Sequence, residues 1–147
     1  INSKNIDAIR DKKVTIIDPE NIYDSHYDII SPCALGGTIN IDSLKKINCD
    51  IIAGAANNQL QNDNEVPEEL NRKNILYIPD FLINAGGIIS VYHEQINEIN
   101  SKKVMEMTEL IYDKVNDVIK HSEKNSLSTN SSAIQLAKDR IKENSKK

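Results

Sequence analysis

Short, unbroken apolar runs separated by mixed stretches dominate the first half of the chain. They are VTII at 14–17, DIIS at 28–31, DIIA at 50–53 and ILYI at 75–78. Runs that do not alternate with polar residues suit strands covered on both faces, as in a parallel sheet. Between the second and third lies TINIDSLKKIN, and between the third and fourth QNDNEVPEELNRKN, each able to form a short crossover helix. Strand, helix, strand is the unit that builds a parallel sheet. A weak echo agrees: DIISPCALGG at 28–37 and DIIAGAANNQ at 50–59 align at an offset of 22 residues, one strand plus one crossover.

The rest of the chain reads as helical. The opening NSKNIDAIRDK predicts a helix capped by Asn2 or Ser3, ahead of the first strand. Past Pro79, INAGGIISVYHEQIN predicts a helix entered through glycines. SKKVMEMTELIYDKVNDVIKHSEKN sets Val104, Met107, Ile111, Val115 and Val118 on one stripe, an amphipathic helix of about six turns. STNSSAIQLAKDRIKEN predicts a capped last helix over 131–144 with Ile134, Ala137 and Ile141 inward. The polar KNSLSTNSS joins the last two, and ENSKK is expected to fray. The expected class is α/β: a parallel sheet followed by C-terminal helices.

With 147 residues, 39% of them hydrophobic and 27% charged, the chain can bury a core as one soluble domain or a piece of one. A formal net charge of −4 disfavours a nucleic acid or an anionic membrane as partner, since both attract concentrated positive charge. One Phe and no Trp leave few platforms for base stacking. No run of about 18 apolar residues occurs, so no membrane-spanning helix is expected, and a cytoplasmic location is. Cys33 and Cys49 are too few for a disulfide framework. With His26, His93 and His121 scattered, no metal site is expected.

All five glycines fall in three places, each after an apolar run: Gly36 with Gly37, Gly54, and Gly86 with Gly87. In open α/β sheets ligands sit beyond the carboxyl ends of the strands, where residues without bulky side chains admit them to the backbone. PCALGGT, GAANNQ and PDFLINAGG would then share the rim that holds a site. Taken singly, each loop reads as well as a plain turn. Cys33 by itself reads as a small buried hydrophobe, and Ile88 and Val91 as helix core. Asn57 and Asn58 stand side by side after DIIAGAA and can donate and accept without charge, which suits a zwitterion lying beside a carboxamide. The loops hold no Lys or His, and the nearest general base is a distant Asp80, so they can line a site but not run acid–base chemistry alone.

PCALGGTIN at 32–40, IIAGAANNQL at 51–60 and YIPDFLINAGGIISVYHE at 77–94 resemble, in order and spacing, the leucine dehydrogenase group of the Glu/Leu/Phe/Val dehydrogenase family. The likeness continues through STNSSAIQLAKDRI and covers essentially the whole chain. It implies that residues 1–97 are the later part of an NAD-binding Rossmann domain. Residues 98–147 would be C-terminal helices, the last packing toward a substrate domain that lies upstream. The catalytic lysines are expected in that absent domain, none in this chain. The residue that reads the adenosine ribose would fall just before Ile1, so NAD rests on the family alone. The resemblance further implies that Cys33 and Ala34 flank the cofactor ribose. Asn57 would meet both the nicotinamide side and the substrate carboxylate, with Asn58 its structural neighbour, and Asn84 would lie near the nicotinamide carboxamide. Ile88 and Val91 would line the substrate side-chain pocket.

Two aliphatic groups there favour an aliphatic substrate, because a glutamate side chain would bury an unpaired charge. The expected activity of the whole protein is NAD-dependent oxidative deamination of a branched-chain L-amino acid by a homo-oligomer; the 147-residue chain alone is expected to be inactive and to bind NAD poorly. Two departures bear on the substrate: QNDNEVPEEL is unusually acidic, and Ser90 stands where an asparagine is common. A non-catalytic nucleotide- or amino-acid-binding module of the same fold is the alternative. A phospho-receiver domain is disfavoured, because amides and glycines stand where it needs clustered aspartates.

Overall fold

The computed structural model describes residues 9, 12–97 and 100–145. The helix expected over NSKNIDAIRDK falls almost wholly outside them. Among the described residues, β1 (Tyr27–Ile30), β2 (Cys49–Ile52) and β3 (Leu76–Tyr77) form one parallel sheet in the order β1-β2-β3. Tyr27 pairs with Cys49, Ile29 with Ile51 and Ile30 with Ile52. Each pair is separated by the offset of the sequence echo, so the two related segments lie side by side in register. The crossovers are α1 (Ile41–Leu44) and α2 (Glu65–Arg72).

Local chemistry sets both helices. At α1 the Asn40 side chain accepts the Ser43 N–H, and the Ser43 hydroxyl accepts the Asn40 N–H, a reciprocal cap. Its far end is held by Lys73, whose Nζ donates to the Leu44 carbonyl at 2.6 Å. At α2 the Asn62 Oδ1 collects the N–H groups of Asn64, Glu65 and Val66. The helix turns Val66, Pro67 and Leu70 inward. With Ile39, Leu44, Ile47, Ile52 and Tyr77, Val66 and Leu70 form the core between crossovers and sheet.

The run at 14–17 is not a strand. A strand exists by hydrogen-bonding a neighbour; among the described residues this run pairs with no strand, and Val14, Ile16 and Ile17 are exposed. Nor is β1 covered on both faces: Ile29 is 57% exposed, and Asp28 is exposed as well.

Beyond β3 the chain makes a separate turn, α3 (Asp80–Ile83), before α4 (Gly86–Gln95). Then come α5 (Ser101–Asn125), capped by Asn100, and α6 (Thr129–Asn144), capped by Ser128. The 25 residues of α5 make about seven turns. Val118 is buried and Val104, Ile111 and Val115 are half-buried, as the stripe predicts. Met107 departs from it: it is exposed, with its sulfur against Nε2 of the buried His93 of α4.

The last helix also departs. Its buried residues are Asn130, Ser132 and Ala133, Ile134 is half-buried, and Ala137 and Ile141 are exposed. Only its first turns reach the sheet, where the Thr129 hydroxyl donates to the Tyr77 carbonyl. That bond ties its first turn to the sheet, and the helix otherwise packs along α5.

Candidate functional site

The three glycine-bearing loops leave the carboxyl ends of β1, β2 and β3 and meet on one rim. The first two are knitted through their backbones: Gly37 N–H donates to Asn58 O at 2.8 Å and Ala56 N–H to Pro32 O at 2.9 Å. Ile39 and Leu60 continue the contact as an isolated parallel bridge. Gly54 lies so close to Pro32 that a Cβ on it would run into the Pro32 carbonyl oxygen and come within 2.5 Å of its nitrogen. A Cβ on Gly36 would stand 2.8 Å from the carbonyl oxygens of both Asn57 and Asn58. Gly36 and Gly54 are thus explained by loop-to-loop approach, and the turns at Gly37 and Asn58 by left-handed backbone, φ 70° and 53°.

The third loop joins through a buried carboxylate. Asp80 accepts the N–H of Gln59 at 3.0 Å and of Phe81 at 2.8 Å. Gln59, fully buried, donates from Nε2 to Gly54 O at 2.7 Å and to Ala56 O at 2.9 Å. Asp80 is therefore a brace between loops rather than a distant base. Beneath it, burial and then the Asp80 charge push the Tyr77 hydroxyl well above the usual phenol range. Gln59 carries this arrangement and was not singled out from sequence; the signal was a long amide directly after Asn57 and Asn58, in a segment flanked by apolar residues.

On this frame Asn57, Asn84, Ile88 and Val91 surround one cavity of about 560 Å³, completed by Ala55, Phe81, Ala85 and Gly87. Nδ2 of Asn84 donates to Oδ1 of Asn57 at 2.6 Å and approaches the Ala55 carbonyl at 3.4 Å. Ile88 is 67% and Val91 47% exposed, so neither is helix core. Asn58 turns away and lines a neighbouring polar cavity with Asp80 and Asn130.

Cys33 and Ala34 do not line the Asn57 cavity. They sit in an apolar one of about 550 Å³ with Tyr23, Tyr27, Ile29 and Leu35. Ala55, in the wall of the Asn57 cavity, bonds the Cys33 sulfur through its backbone and so links the two. Cys33 is exposed rather than a buried hydrophobe. The Ser31 hydroxyl, and then the Ala55 backbone, hold its thiol below the ordinary range, whereas burial raises the Cys49 thiol.

Away from this rim, the pairing of β1 with β2 brings His26, Asp28 and Asp50 together, with ligand atoms within 4.8 Å of one another and all three exposed. The spacing along the chain concealed this group. No described helix is long and apolar enough to cross a membrane.

Residues 2–147 match the family model described as glutamate/leucine/phenylalanine/valine dehydrogenase. The chain is 44% identical to the L-tryptophan dehydrogenase of Nostoc punctiforme over 86% of its own length and 36% of that protein's. To the leucine dehydrogenase of Thermoactinomyces intermedius it is 37% identical, over 96% of this chain and 38% of that one. The crystal structure of the Nostoc punctiforme enzyme superposes with a TM-score of 0.90 at 39% identity, covering 96% of this chain and 42% of the other. The chain thus spans little more than a third of the length of the curated relatives it matches.

Proposed function

Because the chain belongs to the glutamate/leucine/phenylalanine/valine dehydrogenase family, we propose that it supplies the cofactor-side wall of an enzyme that oxidatively deaminates an apolar L-amino acid to its 2-oxo acid and ammonia, using NAD. The observation that carries this reading is the single cavity in which two carboxamides, Asn57 and Asn84, face two aliphatic side chains, Ile88 and Val91. Uncharged groups that both donate and accept suit a nicotinamide carboxamide beside a zwitterion. Ile88 and Val91 suit an aliphatic side chain and repel a carboxylate, whose unpaired burial is costly.

A nicotinamide fits this donor set, and it would supply the acceptor for the substrate's hydride. The chain's own residues position. Asn57 holds the substrate carboxylate and the nicotinamide side, Asn84 meets the carboxamide, and Cys33 with Ala34 flanks the ribose from the adjoining cavity. Ile88 and Val91 set the depth of the side-chain pocket. Fixing two ligands within reacting distance is a large part of such a barrier. The proton-handling lysines are assigned to the upstream part of the whole protein, which we expect to be a cytoplasmic homo-oligomer.

The test is turnover by the whole protein with leucine, valine, isoleucine, phenylalanine, tryptophan and glutamate, each with NAD and NADP, followed by nicotinamide absorbance. Branched-chain substrates with NAD are expected to lead. The small residues Ala55, Ala85 and Gly87 in the same wall favour a second reading, an aromatic substrate, and faster turnover of phenylalanine or tryptophan would select it. A preference for glutamate would overturn both, and nucleotide binding without turnover of any of the six would favour the non-catalytic module.

A further inference from the structure

We propose that Asn84 is a positioning residue that fixes which end of the Asn57 amide faces the ligands. This rests on the dehydrogenase reading and adds to it a polarity for each contact.

A backbone carbonyl can only accept, so the Asn84 atom directed at the Ala55 oxygen, 3.4 Å away, must be its NH2. That same nitrogen lies 2.6 Å from the Asn57 side chain, and the atom it meets there must in turn be an acceptor, Oδ1. The orientation of both amides is thereby set by one main-chain carbonyl rather than by solvent.

Two consequences follow. Asn57 Oδ1 is already occupied, so Asn57 offers the cavity its NH2, a pure donor suited to a carboxylate. Asn84 has committed Nδ2 within the protein, so it offers Oδ1, a pure acceptor suited to the NH2 of a carboxamide.

The backbones that carry this pair are held from behind. Gln59 pins the Gly54 and Ala56 carbonyls on one side of Asn57, and the Asn84 N–H donates to Asp80 O at 3.0 Å. With the backbones fixed, rotating the Asn57 amide would set NH2 against NH2 and rotating that of Asn84 would set oxygen against oxygen, so the opposite choice is costly. An unanchored Asn57 would sample both orientations, and in one of them it would turn its oxygen toward a carboxylate.

The experiment has two arms on the whole protein. The first is kinetic, with Asn84→Asp, Asn84→Ala, Asn57→Ala and the double variant Asn57→Ala/Asn84→Ala. Aspartate cannot donate, so Asn84→Asp should reverse the Asn57 amide and raise the amino-acid KM by about ten- to a hundredfold, the worth of a hydrogen bond to a charged group. Because Asn84 acts on the carboxylate through Asn57, Asn84→Ala should raise the amino-acid KM several-fold in the wild-type background and little further when Asn57 is already alanine. Equal effects on that KM in both backgrounds would overturn the proposal. The second arm needs no turnover: neutron diffraction from the ligand-free protein locates the amide deuterons. They are expected on the Asn84 nitrogen facing Asn57 and on the Asn57 nitrogen facing the cavity. The reverse would refute the positioning role whatever the activity, while the expected deuterons in a protein that turns over no amino acid would sink only the dehydrogenase reading.

Discussion

The closest approach between loops gives the sharpest prediction. Replacing Gly54 by alanine puts a methyl group against the Pro32 carbonyl oxygen, 2.5 Å from the Pro32 nitrogen and 2.7 Å from its Cδ. All three neighbours belong to a proline and its own main chain, so no flexible side chain can swing aside. Restoring an ordinary separation of 3.4 Å requires the loops after β1 and β2 to part by about 1 Å. Forced overpacking of this kind costs about 3 kcal/mol when the backbone must move. The parting also breaks the bond from Ala56 N–H to Pro32 O and shifts Asn57 relative to Cys33. On the proposed reading, in which the rim orients two ligands, a misplacement of about 1 Å should lower turnover by about a hundredfold.

Urea melts and steady-state kinetics on the whole protein read the two effects separately. Gly87→Ala is the stability control, because a methyl group there meets nothing within 4 Å and alanine gains up to about 1 kcal/mol in a helix. If Gly54→Ala melts with the wild type and turns over at its rate, the loops do not meet as described. If Gly87→Ala is the more damaging to stability of the two, steric contact with Pro32 does not govern the Gly54 position.

Three further outcomes are expected. Cys33 should alkylate faster than Cys49, and its rate should rise at lower pH than that of an ordinary thiol, because a lowered thiol pKa leaves more thiolate at any given pH. Ser31→Ala, which removes the first cause of that lowering, should move the iodoacetamide rate profile back toward higher pH; peptide mass spectrometry showing Cys49 modified first would contradict this. Asn62→Ala releases three N–H groups at the start of α2 and should cost about 1 kcal/mol in a denaturant melt, with no measurable loss refuting the cap. Lys73→Met removes the charged donor at the Leu44 carbonyl and should cost about 2 kcal/mol, an effect that persists in high salt if the bond is the partly buried one described.

The parallel sheet was legible because pairing register and sequence echo share a single cause: two segments doing the same job in neighbouring units keep their residues at the same offset. The rim was legible for a related reason, since a loop that must approach another loop can hold only glycine at the contact, as Gly36 and Gly54 do. The run at 14–17 misled because apolar continuity describes what a strand buries and says nothing of whether a partner edge lies beside it. Ala137 and Ile141 misled in the same way, since a helical stripe needs a surface to face, and only the first turns of the last helix meet the sheet. Cys33, Ile88 and Val91, taken singly, read as interior residues by type. What exposes them is their place on the rim, which no single residue discloses.

The same distinction separates the residues that hold the rim from those that present it. Asp80 and Gln59 are buried polar side chains beside the loops, and the hydrogen bonds they make go to N–H and C=O groups of the frame. The side chains lining the cavity are uncharged: the Asn57 and Asn84 amides, Phe81, Ile88 and Val91 among small residues. A charge placed among them would have to be desolvated each time a ligand entered, whereas an amide held at one end by its neighbour carries no such cost. On this argument Asn57→Asp, nearly the same shape, should harm amino-acid binding more than Asn57→Ala. The carboxylate keeps the bond from Asn84 but turns its free oxygen toward the substrate carboxylate. Amino-acid KM values for the two variants decide it, and a milder effect for aspartate than for alanine would show that Asn57 does not face a carboxylate.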